Sequence, residues 1–245
     1  MDQILGLLDK NKGSAIIASM LDWSSAFDRQ DSTLAIKKFI EIGIRPSLIP
    51  ILSSYLTDRK MQVRLENVFS NIYKLSGGGP QDTLLVLLEY LIQSNDNADC
   101  VDQSVRFKFV DDLTILELVM IGSWLSDYNF KIHVANDIGV EEQYISAQNL
   151  ETQKHLDCIS NWTKENKMKL NERKSNYMIF TRSMTEIATR LKINNDTIER
   201  IEEVKLLGLW ITTWLDWDKN TKEMCRRAYA RMSKLTKLKY IYIAY

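Results

Sequence analysis

Two adjacent aspartates, Asp111 and Asp112, stand inside the alternating run SVRFKFVDDLTILEL, which constrains the fold more than any other segment. Alternation on both sides predicts two β-strands, with the aspartates at or near the turn between them. Two like charges about 4 Å apart repel each other by about 4 kcal/mol near a protein surface. A divalent cation would remove this repulsion, because Mg²⁺ takes oxygen ligands from one or two carboxylates. A ligand-free Asp-Asp turn is the commoner explanation of such a pair taken alone.

A third carboxylate favours the metal hypothesis. The run SAIIASMLDWS is apolar and β-branched, which predicts a strand buried on both faces, and Asp22 stands at its end. If this strand lies beside the predicted hairpin, Asp22, Asp111 and Asp112 meet at one end of a sheet. Three carboxylates suit a site for two metal ions, which clamp the attacking and leaving oxygens of a phosphoryl transfer. Asp22 is equally suited to cap a helix or a turn.

The rest of the chain divides into helical and strand patterns, with GGGPQ at 77–81 as the strongest break. Helices are predicted over 1–11, from Asp31 or Ser32 to Gly43, over RPSLIPILSSYLT with Pro46 in its first turn, over a buried run at Leu84–Ile92, around Leu156, Ile159 and Trp162, and over Lys219–Lys239. Alternation predicts a hairpin that turns at Glu66-Asn67, and single strands over SNYMIF and VKLLGLWIT. Residues 119–148 show no clear period.

Composition narrows the class of protein. Apolar residues make up 45% and charged residues 26% of the chain, which is typical of a globular protein. The longest uncharged apolar run, LVMIGSWL, is too short to span a bilayer, so we expect a soluble, intracellular protein. Three cysteines without zinc-site spacing indicate ordinary thiols, and the two histidines share no motif. The net charge is −8 over 1–151 and +8 over 152–245, which suits the second half to an anionic partner.

Five segments, in order along nearly the whole chain, resemble the palm motifs of reverse transcriptases, most closely those of non-LTR retrotransposons. Their usual forms are LDxSxAFD for the first, GxPQGSxLGPxLFxxxxND for the second and a Y/F-x-DD core for the third. The matching segments are LDWSSAFD at 21–28, GGGPQDTLLVLLEYLIQSND at 77–96, FKFVDDLTIL at 107–116, LDCISNWTKENKMKLNERKSNYMIF at 156–180, and VKLLGLWITTWLDWDKN at 204–220, which resembles the primer grip. Each match is weak to moderate alone, whereas five in order are a strong signal.

The resemblance implies a metal site and a sugar-selecting residue. Asp22, Asp111 and Asp112 would be the carboxylates that hold Mg²⁺ or Mn²⁺, with the backbone carbonyl of Trp23 beside them. Phe27, five residues after Asp22, matches the steric gate that crowds a ribose 2′-hydroxyl. A core aromatic is the ordinary alternative for Phe27.

The resemblance also implies contacts to the other parts of the substrate. Pro80 and Gln81 match the loop that touches the incoming nucleotide and the template. Lys174 matches the lysine proposed to steady or protonate the pyrophosphate leaving group, although a solvated lysine is the ordinary alternative. Leu207 and Gly208 would seat the primer end.

Two features depart from the family pattern. Asp82 and Val86 stand where the second motif has glycines. A carboxylate at Asp82 would bring negative charge towards phosphates, and Val86 would add a branched side chain where a helix should pack tightly. Only one short helix precedes the first motif and one helix follows the fifth, so we expect an incomplete polymerase core that lacks most of the fingers.

The resulting expectation is an α+β fold, a polymerase palm with an antiparallel sheet backed by helices. The palm would span 1–205 with a partial fingers insertion at about 44–79, and 206–245 would form the primer-grip strand and the first thumb helix. That helix, Lys219–Lys239, carries eight Lys and Arg against one Glu and is suited to follow a phosphate backbone.

The expected function is template-directed DNA synthesis by two-metal nucleotidyl transfer, impaired in a truncated chain. Its partners would be an RNA template, a DNA primer and dNTPs, in the nucleus or the cytoplasm; the sequence leaves the oligomeric state open. Two alternatives stay open. One is an inactive relic that folds and binds nucleic acid or a partner. The other is an RNA-dependent RNA polymerase, in which an Asp replaces the aromatic gate; Asp28 lies close to that spacing.

Overall fold

The computed structural model describes residues 2–11, 13–80, 83–101, 105–120, 151–182 and 189–242. The helices are α1 (Asp2–Lys10), α2 (Ser32–Glu41), α3 (Ile49–Leu56), α4 (Leu84–Gln93), α5 (Glu151–Glu165) and α6 (Asp218–Tyr242). The strands are β1 (Ser14–Leu21), β2 (Lys60–Met61), β3 (Arg64–Leu65), β4 (Val68–Phe69), β5 (Tyr73–Lys74), β6 (Val105–Phe109), β7 (Asp112–Met120), β8 (Asn176–Thr181), β9 (Lys192–Ile193), β10 (Asp196–Thr197), β11 (Glu199–Arg200), β12 (Glu203–Leu206) and β13 (Leu209–Thr212).

A five-stranded sheet with the order β11-β8-β1-β7-β6 forms the centre of the fold. All its pairings are antiparallel except the short parallel contact of β11 with β8. Every residue of β1 is buried, as the SAIIASML run predicts, because this strand lies in the middle of the sheet and is covered on both faces. The predicted α+β class is confirmed.

Alternate residues of the central strands pack into two cores. Ile17 and Ile179 face α4 and α5, where they join Tyr90 and Ile159 in the larger cluster. Ile16, Met178 and Phe180 face the other way, towards α1 and the β12–β13 hairpin. The period of two along a strand therefore divides the apolar residues between the two faces of the sheet.

The helices α2, α3 and α4 follow the sequence predictions with two corrections. Asp31 caps α2 by accepting a hydrogen bond from the Leu34 amide at 3.0 Å, as predicted. The helix expected to begin at Pro46 begins instead at Ile49, so its first turn contains Pro50. A buried helix is predicted over Leu84–Ile92, but α4 buries only one of its faces. Its other face exposes Leu84, Leu87, Leu88 and Leu91.

Three further features differ from the sequence expectations. The VKLLGLWIT segment forms a hairpin, β12–β13, rather than one strand. The short strands between 192 and 200 had no prediction. Cys100 and Cys158, expected to be free thiols, form a disulfide with their Cα atoms 6.5 Å apart, which leaves Cys225 free and exposed. The hairpin that turns at Glu66-Asn67 is confirmed as β3–β4.

The segment 119–148, for which no structure was predicted, lies outside the described residues from 121 onwards. Within the described ranges, no helix is long and apolar enough to cross a membrane.

Candidate active site

The register of the central strands brings Asp22 to the predicted hairpin. Leu21, the last residue of β1, lies opposite Leu113 of β7. Asp22 follows Leu21 and Asp112 precedes Leu113, so the two aspartates leave adjacent antiparallel strands at the same end of the sheet. The strand pairing on which the sequence made the meeting of the three aspartates conditional is thus present.

The second aspartate of the pair belongs to a strand and the first to the turn. Phe109 lies opposite Asp112 in the β6–β7 hairpin, which leaves Val110 and Asp111 as a two-residue turn. Val110 has a φ of 55°, a left-handed conformation that is rare for a β-branched residue. The hairpin therefore accepts backbone strain at the turn that presents the carboxylates. Such strain clusters at functional sites.

The three carboxylates act on one another electrostatically. Burial raises the pKa of Asp112, and the negative charges of Asp111 and Asp22 raise it further. Oδ2 of Asp22 is buried and has no hydrogen-bond partner among the described residues. The arrangement is one of crowded negative charge, which a hard cation would relieve.

The positions of the acidic side chains do not by themselves indicate a metal site. Across the described ranges, no group of three or more His, Cys, Asp or Glu side chains is arranged so that it could hold a metal ion. The donor chemistry still fits Mg²⁺ or Mn²⁺, since it offers carboxylate oxygens, one of them buried and unpaired in the described part of the chain. The metal site therefore stays a prediction, with Asp22, Asp111 and Asp112 as its candidate ligands.

The loop that carries Lys174 is fastened to Asp22. The Asp22 amide donates to Oγ of Ser175 at 3.1 Å, and the Asp22 carbonyl accepts from the Asn171 amide at 2.8 Å. The Ser24 amide donates to the Lys169 carbonyl at 2.8 Å. Lys174 is exposed in the turn between Asn171 and Ser175 and is thus kept next to the strand that ends at Asp22.

Trp23 holds this region against the core. Its indole ring packs edge-on against Trp162 with ring centroids 5.8 Å apart, and it forms an antiparallel bridge with Leu170. The flanking hydrogen bonds of the bridge engage Asp22 and Ser24, and neither engages the carbonyl of Trp23. That carbonyl is not used by the bridge, as its predicted role beside the metal requires.

Phe27 packs against Tyr90, and Tyr90 lies near the aspartate carboxylates. Its half-buried ring is tilted against the Tyr90 ring with centroids 5.1 Å apart. Burial raises the pKa of the Tyr90 hydroxyl, and the charge of Asp111 adds to the shift, so this ring is close to the acidic end of the sheet. Phe27 would act as a steric gate if its exposed edge contacts a nucleotide, and it would be an ordinary core aromatic if it does not.

The glycine-rich loop before α4 is docked on the segment that contains Phe27. The Gly79 amide donates to the Phe27 carbonyl at 3.0 Å, and the Gly78 amide donates to the Gln30 carbonyl at 2.8 Å. Pro80 is half-buried at the end of this loop, while Gln81 and Asp82 lie outside the described residues.

Val86 does not disturb the start of α4, contrary to expectation. It is buried, and its Cγ2 occupies the space that a side chain on Gly79 would need. The absence of a side chain at Gly79 therefore leaves room for the valine side chain at position 86.

The candidate primer-end residues lie at the tip of the β12–β13 hairpin. Leu207 and Gly208 both have positive φ, 47° and 89°, as a tight two-residue turn of the mirror-image type requires. Leu is unusual there, so this turn is also strained. Val204 and Ile211 anchor the hairpin on the sheet face that α1 covers.

Two buried residues of the site region had no role in the sequence expectations. Glu89 is 0% exposed and Gln30 is 1% exposed. Glu89 stands where the second-motif pattern has leucine, and this departure was the available signal. Gln30 gave no signal, because a glutamine after a turn is common and its burial depends on the loop at 77–80.

Comparisons with known proteins bear on the family resemblance and the fold of the chain. No family model matches the chain. A curated relative, the probable RNA-directed DNA polymerase from transposon BS of Drosophila melanogaster, is 23% identical over 227 residues. The match covers 89% of this chain and 22% of that protein, so the chain spans about a fifth of the relative's length.

Solved structures show the same fold. The apo telomerase of Candida tropicalis truncated from its C-terminal domain matches with a TM-score of 0.54 and 13% identity, over 88% of this chain and 38% of that one. The telomerase of Candida tropicalis in complex with the TWJ fragment of telomeric RNA matches with a TM-score of 0.50 and 13% identity, over 88% and 32%. The predicted resemblance to reverse transcriptases is confirmed in sequence and in fold, which supports a polymerase-related function.

Proposed function

We propose that this reverse-transcriptase-like chain carries the nucleotidyl-transfer site of an RNA-directed DNA polymerase. The observation that supports the proposal is the strand register, in which Asp22 follows β1 at the same end of the sheet where Asp112 begins β7. Among the described residues, neither carboxylate has a structural partner that explains its position. The fold likeness and the transposon relative make nucleotide polymerisation the chemistry that best accounts for this cluster.

In this proposal, Asp22, Asp111 and Asp112 bind Mg²⁺ or Mn²⁺, and the Trp23 carbonyl contributes beside them. The bound ions would stabilise the charge that develops on the attacking primer oxygen and on the leaving pyrophosphate. The protein's own part is to hold the carboxylates at one sheet end, which the fully buried β1 and the strained hairpin turn support.

The surrounding residues would select and orient the substrates. Phe27, backed by Tyr90, would exclude a ribose 2′-hydroxyl, and Pro80 with Gln81 would contact the nucleotide and template. Lys174 would hold a proton near the pyrophosphate on a loop fastened to Asp22. Leu207 and Gly208 would seat the primer end.

The proposed partners are an RNA template, a DNA primer and dNTPs. Residues 1–205 would form the palm, with the fingers insertion at about 44–79. Residues 206–245 would form the primer-grip and thumb part, in which α6 follows the phosphate backbone. The telomerase neighbour was solved with a telomeric RNA fragment, which supports a nucleic-acid partner for a chain of this fold.

We also propose that synthesis is slow. Asp82 would set a carboxylate next to nucleotide or template phosphates, at a cost on the order of 1–3 kcal/mol if about 4–6 Å separates the charges. Asp82→Gly should therefore increase template affinity, and the gain should shrink as salt rises.

Primer extension on an RNA template tests the proposed function. Extension by the wild type in Mg²⁺ or Mn²⁺ should be abolished by Asp111→Asn and unchanged by Asp196→Asn, the same chemical change at an exposed residue of β10. Equal extension by wild type and Asp111→Asn would refute the assigned site. Primer-template binding without extension in either metal would refute synthesis and favour the inactive, nucleic-acid-binding relic.

A further inference from the structure

Glu89 is a buried carboxyl group without a partner in the described part of the chain. It is 0% exposed on the inner face of α4, and neither of its carboxylate oxygens has a hydrogen-bond partner among the described residues. A fully ionised carboxylate in such a place is strongly unfavourable. Burial raises the pKa of Glu89 to about 7, while the charge of Arg59 acts in the opposite direction.

A second unpartnered acceptor faces the same point. Oε1 of Gln30 is buried and also has no hydrogen-bond partner within the described ranges. A Cβ added to Gly79 would lie within 3.2 Å of Oε2 of Glu89 and closer still to Oε1 of Gln30. Both unpartnered acceptors therefore line the same side-chain-free face of Gly79, where a proton on Glu89 would give Gln30 Oε1 a donor.

The orientation of the Gln30 amide is set by its other end. Nε2 of Gln30 donates to the Val86 carbonyl at 3.4 Å. If the amide were turned over, its oxygen would face the Val86 carbonyl oxygen, which is repulsive. This orientation is inferred from the network, as for any amide, and it leaves Oε1 to accept from Glu89.

The link would hold together the two segments that frame the nucleotide in the proposed function. The amides of Gly78 and Gly79 donate to the carbonyls of Gln30 and Phe27. Nη2 of Arg59 donates to the Gly77 carbonyl at 3.3 Å, from the other side of the loop. A hydrogen bond between the side chains of Glu89 and Gln30 would also connect α4 to the Phe27–Gln30 segment.

We propose that Glu89 is a positioning residue, whose neutral carboxyl group donates a hydrogen bond to Gln30 Oε1 and so docks the Gly77–Pro80 loop on the Phe27–Gln30 segment. The consequence for nucleotide positioning rests on the proposed function, whereas the docking itself does not. Loss of the proton would set a carboxylate against an amide oxygen and loosen the loop. Because the pKa of this carboxyl rises from 4.5 to about 7 on burial, docking of the loop should weaken progressively as the pH rises between these two values and should change little above them.

The charged surroundings favour this assignment. Among the described residues, Arg59 is the charged group that acts on Glu89, and its guanidinium is engaged with the carbonyls of Leu56 and Gly77. On the segment on the other side, two ionisable residues flank Gln30. Arg29 is exposed, and the carboxylate of Asp31 caps α2 and pairs with Lys167. Asp28 is exposed and has its own partner.

Amide hydrogen exchange of Gly78 and Gly79 in the metal-free, nucleic-acid-free chain tests the proposal. Protection, corrected for intrinsic exchange, should fall roughly tenfold between pH 6 and pH 8.5 in the wild type, because local opening becomes easier as Glu89 ionises. In Glu89→Gln the added NH₂ group can donate to Gln30 Oε1 at every pH, so protection should stay high and flat. In Glu89→Leu no donor remains, so protection should be low and flat.

Glu117→Gln is the matched control, since Glu117 is a buried carboxyl of β7 whose pKa is also raised by burial and which lies beside His155. It should leave the Gly78 and Gly79 profile unchanged. Protection in the wild type that does not change with pH would overturn the proposal, as would a pH-dependent profile in Glu89→Gln. Because no substrate is present, these outcomes are independent of whether the chain synthesises DNA.

Discussion

Gly79→Ala should be one of the most damaging single-methyl changes in the chain, and Val86 should be the cause. The new Cβ would lie under 3.0 Å from Cγ2 of Val86 and from Oε1 of Gln30, whereas ordinary contact begins at 3.4 Å. Val86 is buried in α4, and its branched side chain has one strongly preferred rotamer in a helix, so it cannot turn away. Moving Gln30 would break its bond to the Val86 carbonyl.

The expected magnitudes follow from these contacts. Overpacking of this kind costs about 3 kcal/mol. Val86→Ala removes about two methylene equivalents from a buried site and leaves a small cavity, which together cost about 2 kcal/mol. In the double variant the methyl group added at position 79 no longer meets the valine side chain, but it still meets Oε1 of Gln30. We therefore expect the double variant to lose about 3–4 kcal/mol rather than the additive value of about 5 kcal/mol.

Urea unfolding of the four proteins at one pH measures this coupling. The control is Gly6→Ala in α1, where an added Cβ meets nothing within 4 Å and should stabilise the helix by roughly 0.5–1 kcal/mol. A double variant whose loss equals the sum of the single losses to within about 0.5 kcal/mol would refute the steric complementarity of Gly79 and Val86.

Three further outcomes are expected. Val110→Gly should stabilise the chain by about 1 kcal/mol in the same urea experiment, because glycine adopts the positive φ of the hairpin turn without strain; a loss of stability would contradict this. The denatured, unreduced chain should have one thiol that reacts, that of Cys225. Reduction of the Cys100–Cys158 disulfide should lower the free energy of unfolding by about 4 kcal/mol, because the disulfide closes a loop with a sequence separation of 58. Three reactive thiols before reduction would show that the disulfide does not form. Phe27→Ala should relax a preference of primer extension for dNTPs over rNTPs, and equal use of both by the wild type would favour the RNA polymerase alternative.

The parts of the fold set by local pattern could be read from the sequence. The continuous apolar run of β1 predicted a strand buried on both faces, and alternation around Asp111 and Asp112 predicted the hairpin. The meeting of Asp22 with that hairpin was stated only as a condition. Strand pairing is a property of the sheet, and no local pattern fixes which strands become neighbours.

The features that the sequence did not predict depend on neighbours far along the chain. The disulfide joins cysteines 58 positions apart, so its formation depends on how the segment after α4 lies against α5. The turn at Leu207-Gly208 was missed because leucine rarely adopts a positive φ, so the segment read as one strand. The single buried face of α4 could not be foreseen, because its outer leucines suggested burial all round.

Glu89 shows the same limit in a polar residue. Its mismatch to the leucine of the second-motif pattern was visible in the sequence, but the meaning of that mismatch was not. Only the structure shows that Gln30 and the bare face of Gly79 lie against it. A polar substitution in a motif therefore becomes interpretable once its buried neighbours are known.

Calorimetric binding of Mn²⁺ to the wild type and to Asp112→Asn tests the central claim most directly, with Asp196→Asn as the control. Asp112→Asn should weaken Mn²⁺ binding roughly tenfold or more. Since the folded-state pKa of Asp112 is raised, its ionisation costs stability, and this cost builds up as the pH rises from the unfolded-state pKa to the raised folded-state pKa. The metal-free variant should therefore be more stable than the wild type at pH 7 but not at pH 3. Equal Mn²⁺ affinity in the wild type and Asp112→Asn would contradict the claim that these carboxylates form a metal site.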